Sequence, residues 1–179
     1  MSTTKLLSRI LVLSIFSLIV ITTGCKKDDD EEKKNEATYK NNTEAITKAK
    51  VIEIETGNFL LGLSSQECDF DFSEGYVIPE GNGTILIFQL IGNNSGELVS
   101  GTYYFSVSSN VIAMTIVNSA IYFDFNFSSG TGTQTFISSG KVTMTLNNSK
   151  AEIQIDASDT SGEKITGYYN GLVVFDDAQ

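Results

Sequence analysis

The sequence predicts an all-β fold, a single antiparallel β-sandwich or small β-barrel, and three observations carry that prediction. Apolar side chains recur with a period of two rather than 3.6. Clusters of Gly, Asn, Ser and Asp punctuate the apolar runs at hairpin spacing. Pro79 is the single proline, and no helix-length amphipathic run is present. A sandwich and a barrel both satisfy this pattern, because each buries one face of every strand.

Taken in order, the periodicity predicts strands at 50–55, 67–72, 84–91, 101–107, 111–117, 120–127, 133–137, 141–146, 151–156 and 165–175. Residues 59–63 read equally as a strand or a short helical turn. In 84–91 Ile85 and Ile87 share one face and Leu86, Phe88 and Leu90 the other, the pattern of a strand covered on both sides. In 120–127 Ile121, Phe123, Phe125 and Phe127 point one way, and Tyr122, Asp124 and Asn126 the other. Val142, Met144 and Leu146 are expected to face Ile153 and Ile155 inward, with Thr143, Thr145, Glu152, Gln154 and Asp156 outward. Turns are expected at 92–96, 128–132, 138–140, 147–149 and 159–162. Gly167 and Gly171 mark a bulge or a close backbone approach beside Tyr169.

Ahead of this domain stands a secretory signal. Lys5 and Arg9 give a positive start, residues 10–21 an apolar stretch broken only by Ser14 and Ser17, and Thr22-Thr23-Gly24 lead to Cys25. The stretch falls short of the roughly 20 apolar residues that a membrane span needs. A run of this length ending in Gly-Cys resembles a bacterial lipoprotein signal, although Thr22 stands where such signals usually carry Leu. The resemblance implies cleavage before Cys25 and lipidation of Cys25, which makes that residue an anchor rather than a disulfide partner. Each buried acyl CH₂ contributes about 0.8 kcal/mol to membrane attachment.

The run Lys26-Lys27-Asp28-Asp29-Asp30-Glu31-Glu32 follows directly. It resembles the export signal of Bacteroidota lipoproteins carried to the outer face of the outer membrane. The alternative is a charged linker on a periplasmic lipoprotein. Residues 26–45 hold five lysines, seven acidic residues and three asparagines, too little apolar surface to offset the entropy of ordering them. The expected organisation is therefore a signal at 1–24, a lipidated cysteine and disordered tether at 25–45, and an all-β domain at 46–179.

Charge and composition exclude several functions. Loss of residues 1–24 removes Lys5 and Arg9 and leaves 10 basic against 22 acidic side chains, a formal charge of −12. Nucleic acid is an unsuitable partner for such a chain. No Lys or Arg occurs between Val51 and Gly140, where nine acidic residues stand, so this block favours cations or a basic partner, or serves solubility. The sequence has no His, and its sole Arg is Arg9, which excludes Ser-His-Asp and Cys-His catalysis and His-based zinc sites. An enzyme reading survives only as a pair of carboxylates acting on glycosidic bonds.

The remaining candidates are few. Cys68 shares a strand face with Phe70 and Phe72, the pattern of a buried small hydrophobe, and neighbouring acids would raise its thiol pKa. In Asp69-Phe70-Asp71-Phe72-Ser73-Glu74-Gly75 oxygen side chains stand at alternate positions as in a calcium loop, with Asp69, Asp71 and Glu74 the candidate ligands, but the glycine falls one place late and the intervening Phe residues suit a strand. The oxygen-rich run 156–163 fits a hairpin connection equally well. No metal or cofactor is assigned. Tyr103, Tyr104, Tyr122, Tyr168 and Tyr169 lie in strands, and those facing outward offer a platform for a glycan or protein ligand. The expected function is a non-catalytic binding or accessory module held at the outer membrane through its lipid and facing the exterior, associated there with an outer-membrane complex. The alternatives are a structural subunit of an envelope complex and a carboxylate hydrolase.

Overall fold

A computed structural model describes residues 33–73, 76–106 and 112–176, and every regular element in them is a strand. These are β1 (Glu36–Tyr39), β2 (Asn42–Ala45), β3 (Lys48–Glu55), β4 (Asn58–Ser64), β5 (Cys68–Ser73), β6 (Tyr76–Ile91), β7 (Gly101–Phe105), β8 (Thr115–Asn126), β9 (Thr131–Asn147), β10 (Lys150–Asp159) and β11 (Lys164–Asp176). Pairing runs from β3 to β4, β6, β8, β9, β10 and β11, and β11 pairs back onto β3. The sheet therefore closes on itself as a barrel, which removes most of its edges. Short β7 fits between β8 and β9 at one end, pairing with both. The β1–β2 hairpin extends the sheet from the first half of β11.

Two contacts depart from the antiparallel expectation: β11 runs parallel to β3, and β7 parallel to β8. A tight hairpin forces antiparallel pairing, whereas β11 meets β3 across more than a hundred residues of intervening chain and is under no such constraint.

Alternation fills the barrel. Leu61, Leu63, Leu86, Phe88, Leu90, Ile121, Val142, Met144, Ile153, Ile155 and Ile165 all lie within one continuous buried cluster. The inward set expected on β9 and β10 is found there, with Leu146 partly buried at its margin. Each such fully buried aliphatic side chain contributes roughly 1.5–3 kcal/mol.

The second apolar face of β6 has its own cover. The first part of β6 pairs with β5, and this hairpin brings Cys68 and Phe70 against Ile85, with Val77, Ile87 and Phe127 around them. Glycine at position 62 on β4 makes room for the Phe70 ring, since a Cβ there would clash with two of its carbons. The outer edge of β5 is sealed by lysines from β3. Lys48 Nζ donates to Cys68 O at 3.1 Å and Lys50 Nζ to Phe70 O at 2.6 Å, while the Phe70 N–H donates to Asp69 Oδ1.

Other expectations need correction. Residues 36–45, assigned to the tether, form β1 and β2. Ala37 and Tyr39 are buried, and Lys40 and Asn41 turn the chain with φ of 50° and 64°. Residues 59–63 are strand. The stretches 111–117 and 120–127 are not two strands: 113–114 form a turn and β8 runs unbroken from Thr115. The turn expected at 138–140 is absent, and β9 passes straight through it. Gly140 adopts φ 112° where β10 approaches too closely for a side chain.

Candidate functional site

Asp124 breaks the alternation of β8. Its φ of 48° and the register shift between Phe123 and Asn126 mark a bulge. Gly132 accommodates it from β9 with φ 134°, and a Cβ there would stand 2.6 Å from Phe125 Cα. The Asp124 N–H donates to Thr84 Oγ1 at 3.2 Å. As a result Ile121 and Phe123 point into the barrel as expected, but Phe125 and Phe127 emerge on the outer face beside Tyr122. Ring centroids are 5.3 Å apart for Tyr122 with Phe125, 5.3 Å for Tyr122 with Phe127 and 4.9 Å for Phe125 with Phe127. Gln134 Nε2 donates to the Tyr122 hydroxyl at 3.1 Å, and Phe136 is 58% exposed on the neighbouring strand.

The five candidate tyrosines do not form one platform. Tyr103 and Tyr169 point inward and are buried. The Tyr103 hydroxyl donates to Val99 O and accepts from Val99 N–H; the Tyr169 hydroxyl donates to Leu172 O at 2.6 Å. Burial raises the pKa of both. A Cβ on Gly171 would stand 2.6 Å from that Tyr169 oxygen, the close approach expected at this glycine. Tyr104, Tyr122 and Tyr168 face outward on separate parts of the barrel. Alternation explains the split, since 103/104 and 168/169 are adjacent pairs whose members must oppose one another.

Tyr168 stands in a groove of about 350 Å³ with Lys33, Lys141, Thr143, Gln154, Ile155, Asp156 and Gly167. Register builds it, because Thr143, Gln154, Tyr168 and Glu36 are successive cross-strand partners on β9, β10, β11 and β1. Lys33 Nζ lies 5.1 Å from the centre of the Tyr168 ring and 3.9 Å from Glu152. Asp156 is paired with Lys164 at 3.5 Å. The groove thus presents an aromatic face bordered by hydroxyl, amide, carboxylate and ammonium groups.

A second concavity of about 330 Å³ opens at the barrel rim, among Glu44, Ala45, Ser65, Gln66, Glu67, Asn82, Gly83 and Asp124. Gly83 is also the cross-strand partner of Phe125, so this cleft adjoins the aromatic triad. Its three carboxylates make no ion pair among the described residues.

The other candidates have structural partners. Asp69 and Asp71 lie in β5 and meet Lys48 and Lys50 at 3.2–3.3 Å. Burial works against ionisation of Asp69, but the Phe70 N–H and the two lysines outweigh it and lower its pKa. Ammonium groups therefore stand beside the carboxylate oxygens of Asp69 and Asp71, and Glu74 lies outside the described residues. Cys68 is 1% exposed, and burial pushes its thiol up to about 11, with Lys48 opposing the shift and Asp69 adding to it. In the 156–163 connection Asp159 is spent on its own hairpin, accepting from Ser161 N–H, Ser161 Oγ and Glu163 N–H. Among the described residues no group of His, Cys, Asp and Glu side chains is placed to hold a metal ion. Cys25 and Lys26, Lys27, Asp28, Asp29, Asp30, Glu31 and Glu32 lie outside the described residues.

Sequence reasoning missed the aromatic triad, the rim cleft and the role of Lys33. The one signal for the triad was Asp124 itself, since an Asp amid alternating aromatics tolerates the left-handed backbone that a bulge needs. The chain matches no protein-family model, no curated protein and no solved structure.

Proposed function

We propose that this chain is a lipid-anchored, non-catalytic binding module at the outer face of an outer membrane, taking a glycan or protein ligand across β9, β10 and β11. The observation that carries the reading is the Tyr168 groove, where an aromatic face and four kinds of hydrogen-bonding side chain converge on rigid strands. The buried polar chemistry supports the non-catalytic part. Asp159, Tyr39, Tyr103 and Tyr169 all satisfy one another or nearby backbone, and Cys68 is inaccessible with its thiolate suppressed. The anchor rests on the signal, Cys25 and the acidic run after it. Because β1 begins at Glu36, only residues 26–35 separate Cys25 from the first strand, a reach of at most about 40 Å when fully extended.

The test is a binding screen of the detergent-solubilised mature lipoprotein against panels of oligosaccharides and peptides. Tyr168→Ala is expected to weaken the binding found by at least about tenfold, equivalent to 1.4 kcal/mol, without altering thermal unfolding. An unchanged binding profile in that variant would remove the groove from the site. A second reading, an interaction subunit of an envelope complex, is favoured by the outward aromatic triad on β8.

A further inference from the structure

We propose that the outer face formed by Tyr122, Phe125, Phe127 and Phe136 docks a basic, apolar-containing segment of a protein partner, with cationic side chains of that segment entering the acidic rim cleft. The proposal rests on the second reading above and is independent of the Tyr168 groove.

The apolar half of the case begins with the bulge. Simple alternation would send Phe125 and Phe127 to the same side as Phe123. The backbone instead takes a left-handed turn at a non-glycine residue and needs Gly132 opposite, and the outcome is three aromatic rings gathered on the exterior. Bulges re-aim side chains. This one places Phe125 and Phe127 on the outer face with Tyr122, where all three rings are half-buried and Phe127 packs against the Cys68, Phe70 and Ile85 cluster. Phe136, 58% exposed on the adjoining strand, extends the face. An exposed phenylalanine beside half-buried aromatic rings is apolar surface of the kind that interfaces use.

Charge complementarity selects the occupant. Glu44, Glu67 and Asp124 line the cleft that meets this face at Gly83. None of the three is ion-paired among the described residues. No Lys or Arg occurs anywhere between Val51 and Gly140, the span that supplies β4 to β8. Lys48 and Lys50 on β3, which pairs with β4, are already held by Asp69 and Asp71. A second copy of this acidic chain would meet like charge, and so would a nucleic acid or an anionic lipid surface. Lysine and arginine side chains fit both parts, since their ammonium or guanidinium groups suit the cleft and their stems and neighbouring apolar residues suit the rings.

The experiment measures binding of the mature lipoprotein to three synthetic probes: a peptide alternating Lys and Leu, the same peptide with Glu in place of Lys, and oligolysine of equal charge. The Lys-Leu peptide is expected to bind best by at least tenfold. Phe125→Ala should weaken it at least tenfold while preserving its salt dependence. The triple variant Glu44→Gln, Glu67→Gln, Asp124→Asn should weaken it similarly and flatten the salt dependence. The triple variant also tests the proposal if Phe125→Ala fails to fold. Tyr168→Ala should leave this binding unchanged, which separates failure here from failure of the groove. Equal binding of oligolysine would reduce the surface to a non-specific acidic coat, equal binding of the Glu-Leu peptide would eliminate the charge selection, and indifference to both variants would place the contact elsewhere. Each of these results would overturn the proposal.

Discussion

At Asp159 a carboxylate only 4% exposed accepts from Tyr39 Oη at 2.6 Å with one oxygen and from Ser161 and Glu163 with the other. One side chain thereby joins β1 to the β10–β11 hairpin. The Tyr39 hydrogen bond, then Ser161 and the backbone N–H groups, outweigh burial and hold its pKa well below the carboxylate range. A depressed carboxylate contributes stability above its unfolded value, near 3.9, and loses it as pH falls through the folded one. Unfolding free energy should therefore fall on acidification below about pH 4, and Asp159→Asn should flatten that limb while costing about 1–3 kcal/mol at neutral pH. Chemical denaturation across pH checks both. The alkaline limb has the opposite origin. Burial and then Asp159 push Tyr39 up to about 12, and burial pushes Cys68 up to about 11. Their contribution is complete below the unfolded values and disappears as pH rises through the folded ones, so Tyr39→Phe should weaken the loss of stability above about pH 10.

At the scale of the element, the β5–β6 hairpin is attached by one aromatic anchor and a row of lysines. Phe70 is buried over Gly62, so Phe70→Ala should cost about 3–5 kcal/mol in equilibrium unfolding. Lys48 and Lys50 contribute less through their ion pairs, about 0.2–1 kcal/mol each for exposed partners. They also occupy the carbonyls of the β5 edge. The double variant Lys48→Ala, Lys50→Ala should therefore raise concentration-dependent association, read by light scattering, more than it lowers the unfolding midpoint. Elements also show where the sequence was legible. The two-faced apolar pattern of β6 announced a strand covered on both sides, and Leu86 and Ile85 occupy the two covers. The strand faces of β9 and β10 were equally plain. The β1–β2 hairpin was not, since its burial of Ala37 and Tyr39 depends on β11, more than a hundred residues away. The aromatic triad was hidden for a related reason: Phe125 faces outward only because Asp124 and Gly132 meet across two strands. Continuity of β9 through 138–140 was hidden likewise, because Gly140 there answers to β10 and not to a turn.

At the scale of the whole molecule, the barrel is filled with side chains, and its candidate sites lie on the exterior, which suits a module presented to partners rather than one enclosing a substrate. That role requires a location where partners reach it. On the proposed anchoring, in which the lipid supplies the attachment, Cys25→Ala should abolish labelling by a palmitate analogue and release the barrel into the soluble fraction. Replacing Asp28, Asp29, Asp30, Glu31 and Glu32 by neutral residues should keep the lipid and lose surface display. The most direct measurement is proteolysis of intact cells with a protease that cannot cross the outer membrane, followed by immunodetection of the barrel. Loss of the cell-associated barrel without lysis is the predicted result, with cleavage falling in residues 26–35. A barrel that stays cell-associated and intact until the outer membrane is permeabilised would contradict the surface-module reading.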